Sequence, residues 1–267
     1  MVRDLLIRGM IAGAVAGLLA FGVAKVFGEP QIDSAIAFEQ QHAQADTSQH
    51  SHAQATADAG ETVSARRHGD EEGLVSRKVQ STAGLFTAVL VYGTAMGGLY
   101  ALAFAFVCGR VGDFSPRLLA LMLAAAAFAA LYYVPSLKYP ASPPAVGDGA
   151  TIGYRTGLFF LMLLISLGAL TFAVAAGRRL SERLGALNGT LAAAGLFIGV
   201  IVIAQLILPD INEVPPDFPA QLLWKFRMSS LTMQAVMWAT LGLLFGVLAE
   251  RVLTVPSRSA AKISTRT

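Results

Sequence analysis

The stretch GMIAGAVAGLLAFGVAKVF, residues 9–27, decides the class of fold. Lys25 is its only charged residue, and a helix needs about 20 mostly apolar residues to cross a hydrocarbon core of roughly 30 Å. Gly9, Gly13 and Gly17 recur at every fourth position, which places small residues on one helix face and lets a neighbouring backbone approach closely. The stretch therefore predicts a transmembrane helix with one face suited to tight packing.

Five more apolar segments of similar length follow in the chain. Of its 267 residues, 55% are hydrophobic and 14% are charged, against roughly 25% charged in soluble domains, and the mean hydropathy is +0.59. This composition excludes a disulfide scaffold, a disordered protein and a nucleic-acid-binding module. It predicts an all-α fold, a polytopic integral membrane helix bundle forming a single domain over residues 1–267. The six spans are expected at 9–27, 84–107, 118–134, 157–176, 190–208 and 231–249.

The loops repeat a weak pattern that predicts how the spans are arranged. Each odd-numbered span is followed by a loop containing proline and an acid, and each even-numbered span is preceded by a basic residue. This pattern favours three helical hairpins, made of spans one and two, three and four, and five and six. Two further pairs at the close-packing spacing, Gly93 with Gly97 and Gly242 with Gly246, lie in spans two and six.

The distribution of Lys and Arg predicts the orientation. If both termini are cytoplasmic, the cytoplasmic segments hold eleven Lys/Arg and the opposite short loops hold four, in agreement with the positive-inside rule. As an alternative, the first span could be a signal peptide cleaved near residues 22–24, which would leave five spans.

The long segment between the first two spans, residues 28–83, then lies outside the cell membrane. It contains nine Asp/Glu, four Lys/Arg and every histidine of the chain: His42, His50, His52 and His68. Residues 40–72 are so poor in large apolar side chains that they are expected to form a mobile external loop. Imidazole and carboxylate together suit cobalt, nickel or zinc, so the segment is a candidate cation collector. The alternative is a solvated polar linker that happens to contain histidine.

A second set of candidate metal ligands lies close to the predicted membrane surface. Its acids follow the odd-numbered spans, whose helix C-termini would also favour cations at that face. A structural interpretation competes equally, because basic residues at the starts of the even-numbered spans need carboxylate partners. The candidate ligands are Glu29, Asp33, Asp210 and Glu213, with Asp148 and Asp217 nearby; the basic residues are Arg77, Arg155 and Arg227.

Enzymatic motifs are absent from the sequence. It contains no GxxxxGK[ST], HExxH or GxSxG pattern, and the single Cys108 allows neither an internal disulfide nor a CxxC site. We therefore expect no catalytic activity and no tightly bound cofactor, and a loop-built enzyme is the least favoured function.

Four strings of sequence carry a resemblance to a known family. Residues 27–39, 134–147, 208–220 and 223–227, which include FGEPQIDSAIAFE and LWKFR, resemble the CbtA family of predicted cobalt-transporter subunits. The resemblance implies a multi-pass protein of the bacterial inner membrane that imports Co²⁺, is associated with cobalamin metabolism and pairs with a small one-span companion bearing histidine.

Together these observations predict a subunit of a cobalt uptake system. External acids and histidines would collect the divalent metal ion and the bundle would conduct it through the lipid bilayer. A non-conducting membrane scaffold that binds metal or a partner subunit is the alternative, and no nucleic-acid partner is expected.

Overall fold

The computed structural model describes residues 1–54 and 76–254, and their regular secondary structure is entirely helical. The α-helices are α1 (Val2–Val23), α2 (Glu29–Gln54), α3 (Arg77–Val79), α4 (Leu85–Val107), α5 (Pro116–Phe128), α6 (Val134–Lys138), α7 (Ile152–Leu184), α8 (Ala186–Ile207) and α9 (Ala220–Thr254). The π-helical turns are Ala24–Gly28, Gln80–Gly84 and Ala129–Tyr133, and a 3₁₀ turn covers Gly149–Thr151.

Within the described residues, six continuous helices are long and apolar enough to cross a membrane, which confirms the predicted all-helical fold with six membrane-length helices. The π-helical turns join consecutive α-helices, so the first three of these spanning helices each contain one. All six are longer than the predicted spans, because hydropathy marks only the part that crosses hydrocarbon whereas main-chain hydrogen bonding continues into the polar flanks. The spanning helices are, in order, Val2–Gln44, Arg77–Val107, Pro116–Lys138, Gly149–Leu184, Ala186–Ile207 and Ala220–Leu253.

The first and second spanning helices form the most extensive contact of the bundle, and glycine makes it possible. A Cβ atom added to Gly13 would lie 2.8 Å from Cα of Gly97, and one added to Gly17 would lie 2.7 Å from the carbonyl oxygen of Val89. Real side-chain carbons essentially never approach other atoms so closely. The two backbones are therefore in direct contact, as the spacing of the small residues predicted.

The other pairings differ from the predicted arrangement of three hairpins. The third spanning helix packs mainly on the sixth and the fourth packs on the fifth, while the third and fourth touch near the end of the third. Small residues again lie at these contacts: a Cβ on Gly242 would lie 2.6 Å from Cβ of Ala124, and one on Gly177 would lie 2.7 Å from Cβ of Ala193. Only the first predicted hairpin packs as a pair, because close packing of small residues, rather than connection along the chain, sets the neighbours.

Aromatic side chains fill the core between the first, second, third and sixth spanning helices. The ring of Phe245 meets Tyr100 and Phe104 edge to face, with centroids 5.2 and 5.1 Å apart. All three residues are buried, and the Tyr100 hydroxyl donates a hydrogen bond to the carbonyl oxygen of Ala120. The bond satisfies the only polar atom of that side chain inside the core.

The helix that leaves the first span continues well into the segment expected to be a mobile loop. Residues 40–54 are helical and the rest of the expected loop to Glu72 lies outside the described residues, so the mobility of 40–72 stays a prediction. Propagating a helix adds one hydrogen bond per residue without a new nucleation cost, and Ala, Gln and Glu are good helix formers. Low hydrophobicity therefore did not prevent helix formation here.

The glycine contact gives a direct prediction for stability. Gly13→Ala is expected to lower the free energy of unfolding by roughly 1–3 kcal/mol, because the methyl group has no room between the first two spanning helices. Unfolding of the purified protein in detergent, followed by circular dichroism, measures the effect.

Gly22→Ala is the matched control, since it lies on the same helix with nothing within 4 Å of the added carbon. It should leave stability unchanged or raise it slightly, because alanine is the better helix former. Equal losses for the two variants would contradict the packing account.

Candidate metal site at the acidic end of the bundle

The predicted candidate acids that the structure describes gather at one end of the bundle. There the first, third and fifth spanning helices end and the second, fourth and sixth begin; we call it the acidic end. Ser229 on the sixth helix donates to the carbonyl oxygen of Phe27 at 2.8 Å, and the Asp148 amide donates to Glu213 at 2.9 Å. These bonds tie the helix ends and loops into one surface.

Glu29 and Asp33 bind one arginine from the neighbouring helix. Arg77 Nη2 lies 2.6 Å from Glu29 Oε2 and 3.0 Å from Asp33 Oδ1. The Glu29 side chain is only 8% exposed, whereas that of Asp33 is 63% exposed. The π-helical turn Ala24–Gly28 immediately precedes Glu29, and Lys25 within it donates to the Ser81 carbonyl at 2.9 Å. Two cations thus link the first and second helices here.

Glu213 is the most fully coordinated acid of the group. It accepts a hydrogen bond from the Thr151 hydroxyl at 2.7 Å and one from the Asp148 amide at 2.9 Å, and Arg155 Nε lies 3.3 Å away. The Thr151 hydrogen bond, followed by the Asp148 amide and the charge of Arg155, lowers the pKa of Glu213. The carboxylate is therefore ionised at neutral pH.

Asp210 pairs with a buried lysine that sequence reasoning missed. Lys138 Nζ donates to Asp210 Oδ1 and, at 2.8 Å, to the carbonyl oxygen of Gln205. The Lys138 side chain is 8% exposed and that of Asp210 is 92% exposed. Burying an ammonium group without such partners is costly in free energy. Asp210 therefore offsets the positive charge of Lys138 at the end of the third spanning helix.

Of the four histidines, His42 is the one whose side chain the structure describes. His42 is exposed on helix α2, stacks on Phe38 with ring centroids 4.0 Å apart, and donates from Nδ1 to the Phe38 carbonyl at 3.0 Å. His50 and His52 belong to the last turns of the same helix, and His68 lies outside the described residues.

Among residues 1–54 and 76–254, no group of three or more His, Cys, Asp or Glu is placed to hold a metal ion. The salt-bridge interpretation is observed for Arg77 and Arg155, which bind acids from other segments. Arg227 instead donates from Nε to the carbonyl oxygen of Ala141 at 3.4 Å. A role for these acids as metal ligands stays a prediction.

A cavity of about 690 Å³ opens beside these ion pairs. Its wall includes the proline-rich loop 140–144, the start of the fourth helix and the loop 211–214. Gly147, with φ of +106°, lies directly against the guanidinium of Arg155, where an added Cβ would be 2.5 Å from Cζ. In the sequence, the basic residue that precedes each even-numbered span was the signal for this region. The spacing of the residues did not show which loop acids would pair with it.

The family comparison extends over nearly the whole chain. A family model described as "Probable cobalt transporter subunit (CbtA)" matches residues 2–250 of 267. No curated protein and no solved structure matches.

The pair between Glu29 and Arg77 should be energetically coupled. Glu29→Gln is expected to cost roughly 1–3 kcal/mol of unfolding free energy, since it weakens a hydrogen bond between charged groups and leaves Arg77 half compensated. Because Arg77 is the one cation paired with Glu29 among the described residues, the double variant Glu29→Gln with Arg77→Gln should lose less stability than the sum of the two single changes. Unfolding titrations in detergent give the four free energies.

Asp33→Asn is the control on the same arginine, and its exposed position predicts a smaller loss, under about 1 kcal/mol. Strict additivity of Glu29→Gln and Arg77→Gln would show that the two side chains do not interact in the folded protein.

The lowered pKa of Glu213 predicts a dependence of stability on acid. Ionised Glu213 stabilises the fold above its ordinary pKa of 4.5, and this stabilisation is lost as the pH falls through the lower pKa of the folded state. Thr151→Val removes the largest cause of the shift, so the loss of thermal stability between pH 6 and pH 3 should be smaller than in the unmodified protein.

Thr171→Val is the control, because that hydroxyl bonds only to the Leu167 carbonyl of its own helix. An unchanged acid dependence in Thr151→Val, matching the control, would contradict the assigned cause.

Proposed function

The chain belongs to the CbtA family of probable cobalt transporter subunits, and from this premise we propose that it is the membrane subunit of a transition-metal uptake system with Co²⁺ as its transported ion. The observation that carries the proposal is the family match over residues 2–250. The six membrane-length helices support a multi-pass membrane location, and the word subunit implies partner components. A small one-span, histidine-bearing companion is the partner we propose.

In the proposed orientation the acidic end faces outside and both termini are cytoplasmic. The excess of Lys and Arg in the opposite loops supports it. The opposite end is also where Arg117 pairs with Glu250 at 2.5 Å and Arg8 donates to the carbonyl oxygen of Leu248 at 3.2 Å. A divalent ion entering from the acidic side would gain about 4.6 kcal/mol per 100 mV of inside-negative potential, twice the value for one charge.

We propose that Glu29, Asp33, Asp210 and Glu213 attract the ion at this end, with the paired cations as their resting partners. An ionised carboxylate needs no proton loss before it binds a metal ion, and the lowered pKa of Glu213 keeps it in that form. Asp33 and Asp210 are the most accessible of the four side chains. Metal binding would then proceed by exchange of Arg77 or Lys138 for the dication.

Histidine is proposed to supply the more selective ligands. Helix α2 runs unbroken to Gln54 and so includes His42, His50 and His52. The hydrogen bond from Nδ1 of His42 to a backbone carbonyl leaves Nε2 as the metal-binding nitrogen, an arrangement common in metal sites. Imidazole and carboxylate suit Co²⁺, although nickel would bind the same donors more tightly, so selectivity needs a further device. His52 and His68 complete the proposed collector.

The close packing of the bundle core favours the alternative function, a scaffold that binds metal or a partner without conducting it. The core of the first, second, third and sixth spanning helices is closely packed with buried apolar side chains such as Phe104, Leu241 and Phe245. Two cavities of about 690 and 450 Å³ in the described part of the chain both lie towards the acidic end. A scaffold that binds metal or a partner without conducting would need no path across the bundle.

Uptake of radioactive Co²⁺ by vesicles containing the purified protein, with and without the companion, tests the proposal. The unmodified protein should accumulate the ion faster than empty vesicles. A variant with Asp33→Asn, Asp210→Asn and all four histidines changed to Ala should require a several-fold higher Co²⁺ concentration for half-maximal uptake, because collection is weakened while the bundle is intact.

Asp113→Asn with Glu182→Gln is the control, since Asp113 lies in a loop and Glu182 in the last turn of α7, both exposed at the opposite end, and neither should alter uptake from the acidic side. Binding of Co²⁺ without uptake in every preparation would establish the scaffold alternative. Absence of both binding and uptake would overturn the assignment to metal transport.

A further inference from the structure

The cavity at the acidic end has a chemistry opposite to that of the acids around it. Two arginines from different helices, Arg155 and Arg227, line its wall, and among the described residues Glu213 is the one acid that does so. The hydroxyl side chains of Ser136 and Thr156 also line the wall. The lining therefore carries a formal charge of one positive unit together with several hydrogen-bond donors.

Arg155 is fixed in position but incompletely bonded. Nη2 donates to the Asp148 carbonyl at 3.1 Å, and Gly147 leaves the room in which the guanidinium lies. Nε is buried and, although 3.3 Å from Glu213, makes no hydrogen bond of acceptable geometry. A guanidinium held rigidly with a donor unused is suited to an additional acceptor.

Arg227 has a weaker set of partners within the described part of the chain. Its Nε donates a 3.4 Å hydrogen bond to the Ala141 carbonyl, and no carboxylate of the described residues lies within 4.0 Å of its guanidinium. Glu213 does not compensate for this, because its negative charge is paired with Arg155, whose Nε lies 3.3 Å from it. The positive charge of Arg227 is left for another anion to balance.

We propose that this cavity binds a phosphate group through Arg155 and Arg227. The planar guanidinium presents paired donors that match the oxygens of phosphate, and charged hydrogen bonds of this kind are about twice as strong as neutral ones. The Thr156 hydroxyl on the same wall would add a further donor, whereas the Ser136 hydroxyl already donates to the Tyr133 carbonyl at 2.8 Å.

The size and walls of the cavity indicate a phosphate ester rather than the bare ion. A volume of about 690 Å³ lies in the range of small-molecule sites, and Tyr132, Tyr139 and Phe159 provide apolar surface beside the arginines. A glycerophosphate group has this composition, and it can come from a membrane lipid headgroup or from a soluble ester. The proposal does not depend on metal transport, since it concerns the affinity of the cavity for an anion.

Binding to the purified protein in neutral detergent distinguishes the sources. One arm titrates glycerol 3-phosphate and follows the thermal unfolding midpoint at constant ionic strength; the other counts short-chain phosphatidylglycerol molecules retained in native mass spectrometry. We expect saturable binding in at least one arm, and Arg227→Gln should weaken it about tenfold or more. Binding of the soluble ester assigns a soluble ligand, and retention of the lipid alone assigns the headgroup.

Lys225→Gln is the matched control, because it removes one positive charge from the same end of the same helix without lining this cavity. It should bind like the unmodified protein. Arg227→Lys keeps the charge but loses the planar pair of donors, so it should fold normally and bind with intermediate affinity. Equal binding by Arg227→Gln, Arg227→Lys and the unmodified protein, or no binding in either arm, would overturn the proposal.

Discussion

The architecture depends on direct contact between the backbones of the first two spanning helices at Gly9, Gly13, Gly17, Gly93 and Gly97. Lipid tails are as apolar as the side chains that face them, so helices in a membrane associate through close packing rather than through removal of apolar surface from water. Any side chain at these positions would separate the helices. Their close approach also brings the end of the first helix beside the start of the second, where Glu29 meets Arg77.

At the polar surface, ion pairs hold together the helix ends that close packing brings near each other. Glu29, Asp33, Asp210 and Glu213 are each paired with a cation of another segment, so these charges hold loops and helix ends together. The two proposals assign different ligands to the same end of the bundle. Cations are proposed to gather at the exposed carboxylates of Asp33 and Asp210, and a phosphate group is proposed to bind in the cavity beside Arg155 and Arg227.

Sequence was sufficient for the six spanning helices, because a long apolar run has few alternatives in a membrane. It was insufficient for their pairing, since connectivity favoured hairpins while Gly242 packs on Ala124 of the third helix and Gly177 on Ala193 of the fifth. The salt-bridge alternative anticipated Arg77 and Arg155, but Lys138 was missed, because its partners Gln205 and Asp210 depend on where the fifth helix packs. The cavity depends on loop conformation, which spacing alone does not specify.

The central claim is that the acidic end faces the outside, where a cation is gathered. Labelling of intact cells with a membrane-impermeant thiol reagent tests it directly, in a Cys108→Ser background carrying either Asp217→Cys at the acidic end or Asp113→Cys at the opposite end. Both positions are exposed in the structure. The account predicts that the cysteine at 217 is labelled in intact cells and that the cysteine at 113 is labelled only after the cells are opened. The reverse pattern would contradict it.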